Sequence, residues 1–462
     1  EDGDGSVELK NKVKLYGLVS KQFTHNEVDF KLDNFHTNSL LYFLEDSLSS
    51  LKGNISGEVA AKWQDEKIHF KVTGESYLDK FRLDSSGPTP ILENDRVTIH
   101  KGLVGVDMSG VVEMEFDIAV GASSRLSGRG VVDGDKVDFK VSKSNINFSE
   151  VGPISGLPIY GEGDFEMIIK GAGEDVNFDF GLDMSRVKIL DFNITKLKGN
   201  LGLNLEDLVL SVKGVTGDFL NTSYTSSGFM DFNKNKINLV IDVKKSELED
   251  AIHILEPISK NLDFLKSKYL SLSFKSKIKL SGGLSGDELR VYGILDGRDL
   301  AMYKEKSESL SFNFDFVDNV LSLNEIKLRQ SSSEFLGQFK INTKSNYFEY
   351  DAKLVSGQLE DFEVYRVLSL GYSSEVNGEF YGKGTLDDFS TRSHLRFTNS
   401  FLGNVQVPES LVTVYNNSKE VFSSGNFLGD RSSYNLYLNF DEKNAQKSYV
   451  NAFMNFKNIK EL

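Results

Sequence analysis

The chain has 462 residues, a formal net charge of −15, 39% hydrophobic residues, 40 Gly, 34 Phe, 6 Pro, 1 Trp and no Cys. The acidic balance leaves no basic footprint for phosphates and argues against nucleic acid, and the missing cysteine excludes disulfides, thiolate metal sites and cysteine nucleophiles. Few prolines among many Gly, Phe, Val and Ile are the composition of hydrogen-bonded sheet. Length alone suggests roughly two to four domains at about 150 residues each.

The first ten residues, "EDGDGSVELK", are not a signal peptide, and no apolar run approaches the ~18–20 residues of a membrane span. On that basis the chain reads as a mature form, a fragment without its anchor, or a cytoplasmic protein. Residues 1–37 read as the tail of a preceding β unit. "NSLLYFLEDSLSSL" (38–51) then places Leu40, Leu44, Leu48 and Leu51 at helical spacing and opens a β repeat over 38–158.

A second repeat, 159–245, starts with "IYGEGDFEMIIKG", where Phe165, Met167 and Ile169 share one strand face. "VNFDFGLDM" (176–184) alternates without a fault: Val176, Phe178, Phe180, Leu182 and Met184 against Asn177, Asp179, Gly181 and Asp183. Successive side chains of a strand point to opposite faces, so this strand has one apolar and one polar face. "GNLGLNLED" aligns Leu201, Leu203 and Leu205; "KINLVIDV" aligns Ile237, Leu239, Ile241 and Val243.

The third repeat, 246–358, opens with a predicted helix over 246–265, with a capping-box pair at Ser246 and Glu249 and a break or kink at Pro257. Its strands include "LSLSFKSKIKL", with Leu270, Leu272, Phe274, Ile278 and Leu280 on one face and Ser276 the polar exception. They also include "LSFNFDF", with Leu310, Phe312, Phe314 and Phe316. The fourth, 359–462, opens with a predicted helix over 359–372 stopped by Gly371, and aligns Tyr434, Leu436, Leu438 and Phe440. Matching positions Gly57, Gly161, Phe274 and Gly378 recur about every 105–113 residues, the signature of a long internal repeat. Sustained period-two alternation predicts an all-β, mainly antiparallel, repetitive sheet with a few short linking helices. Stacked end to end, the units would form one continuous elongated sheet.

No catalytic constellation stands out. His25, His36, His69, His100, His253 and His394 lack partners at ligand spacing, and there is no G-x-S-x-G elbow, Walker loop or G-x-G-x-x-G. Neither an enzymatic role nor a cofactor is expected. What stands out is the apolar face, and three short helices are too few to cover it. A lining of Phe, Leu and Ile with few polar groups suits an acyl chain, which gains about 0.8 kcal/mol per buried methylene and needs no directional partner.

The helix-then-"G-E-x" openings ("LKGNISGEV", "VNGEFYGKG") carry a family resemblance. So do phrases such as "LKGNLGLNLEDLVLSVKGVTGDF" followed by "SSGFMDFNKNKINLVIDV", replayed over 310–354. On these the chain resembles the TamB/AsmA-like bridge-like lipid-transfer proteins of diderm bacteria. The resemblance implies a U-shaped curved β-sheet, a β-taco, whose apolar groove carries phospholipid between inner and outer membranes or aids outer-membrane biogenesis. It also implies a periplasmic location, an inner-membrane anchor and a BamA-like barrel partner; neither terminal element is visible in this sequence. With roughly 30–35 strands at ~4.8 Å each, such a sheet would be on the order of 150 Å long. Two alternatives stay open: a repetitive surface or adhesin-like β-protein with a dry core, and a carbohydrate-active or other enzyme on a β-solenoid, with carboxylates or aromatics clustered on its outer surface. The single Trp63 weighs against sugar-stacking platforms in the second.

Overall fold

The computed structural model describes residues 6–9, 14–16, 25–36, 51–64, 66–84, 90–151, 159–173, 175–189, 192–204, 206–255, 270–283, 288–302, 305–368, 371–385, 387–417, 419–426, 429, 432–439 and 448–457. They hold twenty-nine strands, three short α-helices and one 3₁₀ turn, so the all-β, antiparallel, repetitive reading is correct. Two compact units divide at Lys236/Ile237.

In the first unit most strands pair antiparallel with their sequence neighbours, in the run from Pro90–Asp107 to Thr222–Asp231. One place in the ladder is shared. Residues 51–56 of Leu51–Gln64 pair with Ser76–Asp84, and residues 59–64 pair with Lys67–Val72. Both short strands then pair with Pro90–Asp107. In the second unit the same neighbour-to-neighbour pattern runs from Leu270–Gly283 to Tyr449–Phe456.

Many strands carry a bulge. Arg186, Asp299, Glu325, Ser356 and Asn399 sit at register shifts with φ of 56, 55, 52, 53 and 49°. A left-handed residue there lets one strand hold an extra residue and bend, which curves the sheet locally. At the last of these, Ser374 and Ser400 are both buried and their hydroxyls meet at 2.8 Å.

A dry core lies in the first unit. Val97, Val120, Ile146, Phe148, Met184 and Val187 form a buried cluster, with Leu78, Ile118, Leu126, Phe165, Leu182, Ile194 and Leu197 packed against it. The helix Phe148–Val151 contributes Phe148 to it and also places Glu150. The Glu150 carboxylate accepts from the backbone N–H groups of Ala122, Ser123 and Ser124 at 2.9, 2.9 and 2.8 Å and from Ser124 Oγ at 2.7 Å. It thereby clamps the turn after Val112–Val120. The second unit repeats the device. Asp361 accepts from Ser332 N at 3.1 Å and from the hydroxyls of Ser332 and Ser333 at 2.7 Å, closing the turn after Val320–Gln330. Ser333 follows Ser124 by 209 residues and Asp361 follows Glu150 by 211, two periods of the repeat read in the sequence.

The helical expectations are met unevenly. Of the predicted helix over 38–51, residues 38–50 lie outside the described residues, and Leu51 instead begins the strand Leu51–Gln64. Of 246–265, the helix Leu248–Leu255 is described, and 256–269 lie outside. The predicted helix over 359–372 is instead a 3₁₀ turn, Leu359–Asp361, followed by the helix Glu363–Leu368. Asp361 is held by the serine turn, and Phe362 is extended at φ −93°, ψ 125° with its ring edge-on to Phe335 at 6.1 Å. Those two anchors are incompatible with one uninterrupted helix.

Burial opposes ionisation of Glu150 and of Asp361, but the hydrogen bonds outweigh it and hold both carboxyls below the ordinary carboxylate range. A depressed folded value stabilises the fold above the ordinary range, and the contribution is lost as pH falls through the folded value. Urea unfolding should therefore show Asp361→Ala and Glu150→Ala each costing about 1–3 kcal/mol at neutral pH. The difference from wild type should shrink in acid; an equal difference at neutral and acidic pH would rule the clamps out.

Candidate functional site

The apolar side chains of successive strands fall into register. In the first unit one row runs Ala61, Phe70, Val104, Met114, Gly130, Phe139, Ile169, Phe178, Leu203, Leu210, Met230, each the direct partner of the next. Eleven strands at about 4.8 Å give a row of about 50 Å. A second row runs beside it through Phe116, Gly128, Val141, Met167, Phe180, Leu201 and Val212. In the second unit a row runs Phe274, Gly297, Leu310, Leu328, Phe335, Leu354, Gly378, Leu395, Val412, Gly425, Tyr434, Met454. Ile278, Gly293, Phe314, Leu323, Phe339 and Tyr350 flank it.

These rows are only partly covered. In the long first-unit row Phe70 is 39% exposed and the other members are half-buried. In the second unit Phe274, Gly297, Leu354 and Gly378 are buried, Met454 is 61% exposed, and the rest are half-buried. Rings meet across strands, Phe165 with Phe180 at 6.1 Å and Phe339 with Phe348 at 6.3 Å, and along one strand, Phe178 with Phe180 at 6.1 Å. The glycines in the rows have a steric reason. A Cβ on Gly130 would lie 2.1 Å from Phe139 Cδ2 and 2.8 Å from its Cα, so the ring lies over a position only glycine can occupy.

The opposite face in the first unit is charged and paired. Lys198 meets Asp183 at 2.7 Å, Lys213 meets Asp179 at 3.2 Å, and Lys170 meets Asp138 at 3.2 Å. Exposed pairs of this kind add little stability, typically about 0–1 kcal/mol, but they keep that face wet. The Asp183 carboxyl is held below its usual range chiefly by the hydrogen bond from Lys198.

The expected lining residues are placed as follows. Phe165, Met167, Ile169, Val176, Phe178, Phe180, Leu182, Leu201 and Leu203 are half-buried on the apolar face of the first unit; Met184 is in the dry core at 2% exposure. Leu270, Ile278, Leu280, Leu310, Phe312, Phe314 and Phe316 are half-buried in the second unit, as are Ile241, Leu436 and Leu438. Ile237, Leu239, Leu272 and Phe274 are buried there. Leu205 and Phe440 lie outside the described residues. Sequence reading missed Met114, Phe139, Leu210, Phe335 and Leu395, although "VEMEFDIAV" (112–120) carries the same alternation. Among the described residues no group of three or more His, Asp or Glu could hold a metal.

Such a face offers dispersion and hydrophobic contact and almost no directional bonding. It can shelter chains of methylenes. No family profile, curated protein or solved structure matches the chain.

Substitution separates crowded glycines from roomy ones. Gly130→Ala should lower stability by about 1–3 kcal/mol through overpacking against Phe139. Gly105→Ala, whose Cβ would come no closer than 3.1 Å to the His69 ring, should cost clearly less in the same urea titration.

Proposed function

We propose that the apolar rows carry acyl chains of phospholipid or a similar lipid, and that the protein moves or shelters lipid between the two membranes of a diderm envelope. The observation that carries this reading is the in-register row across eleven strands of the first unit, built of Phe, Leu, Ile, Val and Met with one Ala and one Gly, and partly exposed along its length. Half-exposure supports a lipid-covered face over a dry packed core. The scarcity of polar groups on the face supports sliding over fixed binding, since no hydrogen bond has to break as a chain advances. The TamB/AsmA resemblance adds the periplasmic setting, the inner-membrane anchor and an outer-membrane barrel partner to the proposal.

Native mass spectrometry with lipid extraction tests it: purified protein should carry phospholipid. Phe180→Asp or Phe314→Asp puts a charge where acyl chains would lie, at a cost of several kcal/mol if the chain stays in place. Each should cut lipid transfer between vesicles by about tenfold or more, as a penalty of only 1.4 kcal/mol suffices for that. Asp179→Asn, on the wet face, should leave transfer unchanged. Equal transfer by all three variants would refute the proposal.

A further inference from the structure

We propose that the polar face of the last strands of the second unit is a binding site for an extended, uncharged glycan. On Ser410–Asn417, Glu420–Asn426, Ser432–Asn439 and Tyr449–Phe456, the positions opposite the apolar row carry one charged side chain, Glu420. That carboxylate already accepts a hydrogen bond from Tyr437 Oη at 2.6 Å. Elsewhere in the same unit this face is salt-bridged, as at Arg290–Asp315 and Lys353–Glu379. In place of charge, the last strands present rings, amides and hydroxyls.

The rings are aligned. Tyr381, Arg392, Tyr415, Phe422 and Tyr437 are successive register partners across five strands. Tyr381, Tyr415 and Phe422 are 38, 41 and 38% exposed. Two shallow hollows of about 690 and 650 Å³ adjoin this line and share Lys383, Ser390 and Tyr415 as walls. A sugar ring offers an apolar C–H face to an aromatic ring and equatorial hydroxyls to amides and alcohols, and needs no charge. Thr413, Ser424 and Asn435 are themselves successive partners one row away and supply those groups. The interstrand spacing of about 4.8 Å is close to the rise of one pyranose unit in an extended glycan. The walls set rings such as Phe389, Tyr415 and Phe422 among polar and charged groups, with Lys383, Asp388, Lys419 and Glu420 in the first hollow and Glu349, Lys383 and Arg392 in the second; small-ligand sites likewise join apolar contact to polar groups that fix orientation. The cations lining the hollows, Lys383, Arg392 and Lys419, are equalled in number by Glu349, Asp388 and Glu420, so the walls carry no net positive charge for a phosphate-rich ligand, and a bilayer would call for an apolar cap without the interleaved asparagines.

The test is calorimetric titration of the full chain with cellohexaose and with chitohexaose. At least one should bind saturably. Tyr415→Ala combined with Phe422→Ala should weaken that binding by about tenfold, Tyr415→Phe should retain it, and Ser424→Glu, which removes no packing, should weaken it as the double variant does. Phospholipid content should stay at the wild-type level in every variant, so that loss of glycan binding is distinguishable from failure of the lipid reading. Absence of binding by both glycans, binding indifferent to these substitutions, or variants that instead lose adhesion to phospholipid vesicles would overturn the proposal.

Discussion

The hydrogen-bonded register between neighbouring strands is the constraint on which the rest of each unit depends. A strand with period-two alternation has an apolar side and a polar side, but a single strand makes no surface. Only when Ile169 stands opposite Phe178, and Phe178 opposite Leu203, does alternation become a row. A slip of one residue would turn Asp179 and Lys170 into that row and expose the phenylalanines. Bulges such as those at Arg186 and Ser356 absorb an extra residue locally, so pairing continues in step on both sides of them.

Two devices hold the register. Along the strands, rings lie over cross-strand glycines, as Phe139 does over Gly130 and Tyr350 over Gly382, and these pairs fit in one alignment only. At one end of the strands, Glu150 and Asp361 tie a helical segment to the backbone or hydroxyls of a neighbouring turn. The ion pairs on the wet face are more numerous and matter less, because both partners remain exposed. The consequence for function is a face that is ordered while only partly covered among the described residues: backbone pairing sets the side chains in rows.

Much of this was legible in the amino-acid sequence, for a physical reason. Alternation is a local property, so "VNFDFGLDM" declares its own two faces, and 310–316 does the same. Register is not local. Nothing in the sequence marks Arg186 or Glu325 as left-handed bulge residues, since neither is Gly or Asn, and without Glu325 the pairing of Leu310 with Leu328 cannot be counted out from the turn. The repeat was visible through Gly57, Gly161 and Gly378, while its structural signature, a carboxylate seated in a serine turn, was hidden because Glu150 and Asp361 look like ordinary surface acids. The helix expected over 359–372 failed at Phe362 because a contact distant in sequence, with Phe335, outweighed local periodicity. The line from Tyr381 to Tyr437, four rings with Arg392 among them, was likewise invisible, being assembled from five strands with one member each.

The account stands or falls on what covers the rows. Photocrosslinking in cells is the most direct measurement: a benzophenone amino acid placed at Phe178 or Phe335, and in parallel at Asp179 or Lys353, followed by mass analysis of the irradiated protein. The account predicts phospholipid adducts at Phe178 and Phe335 and none at the two wet-face positions. Adducts to protein alone at Phe178 and Phe335, or equal lipid labelling on both faces, would contradict it.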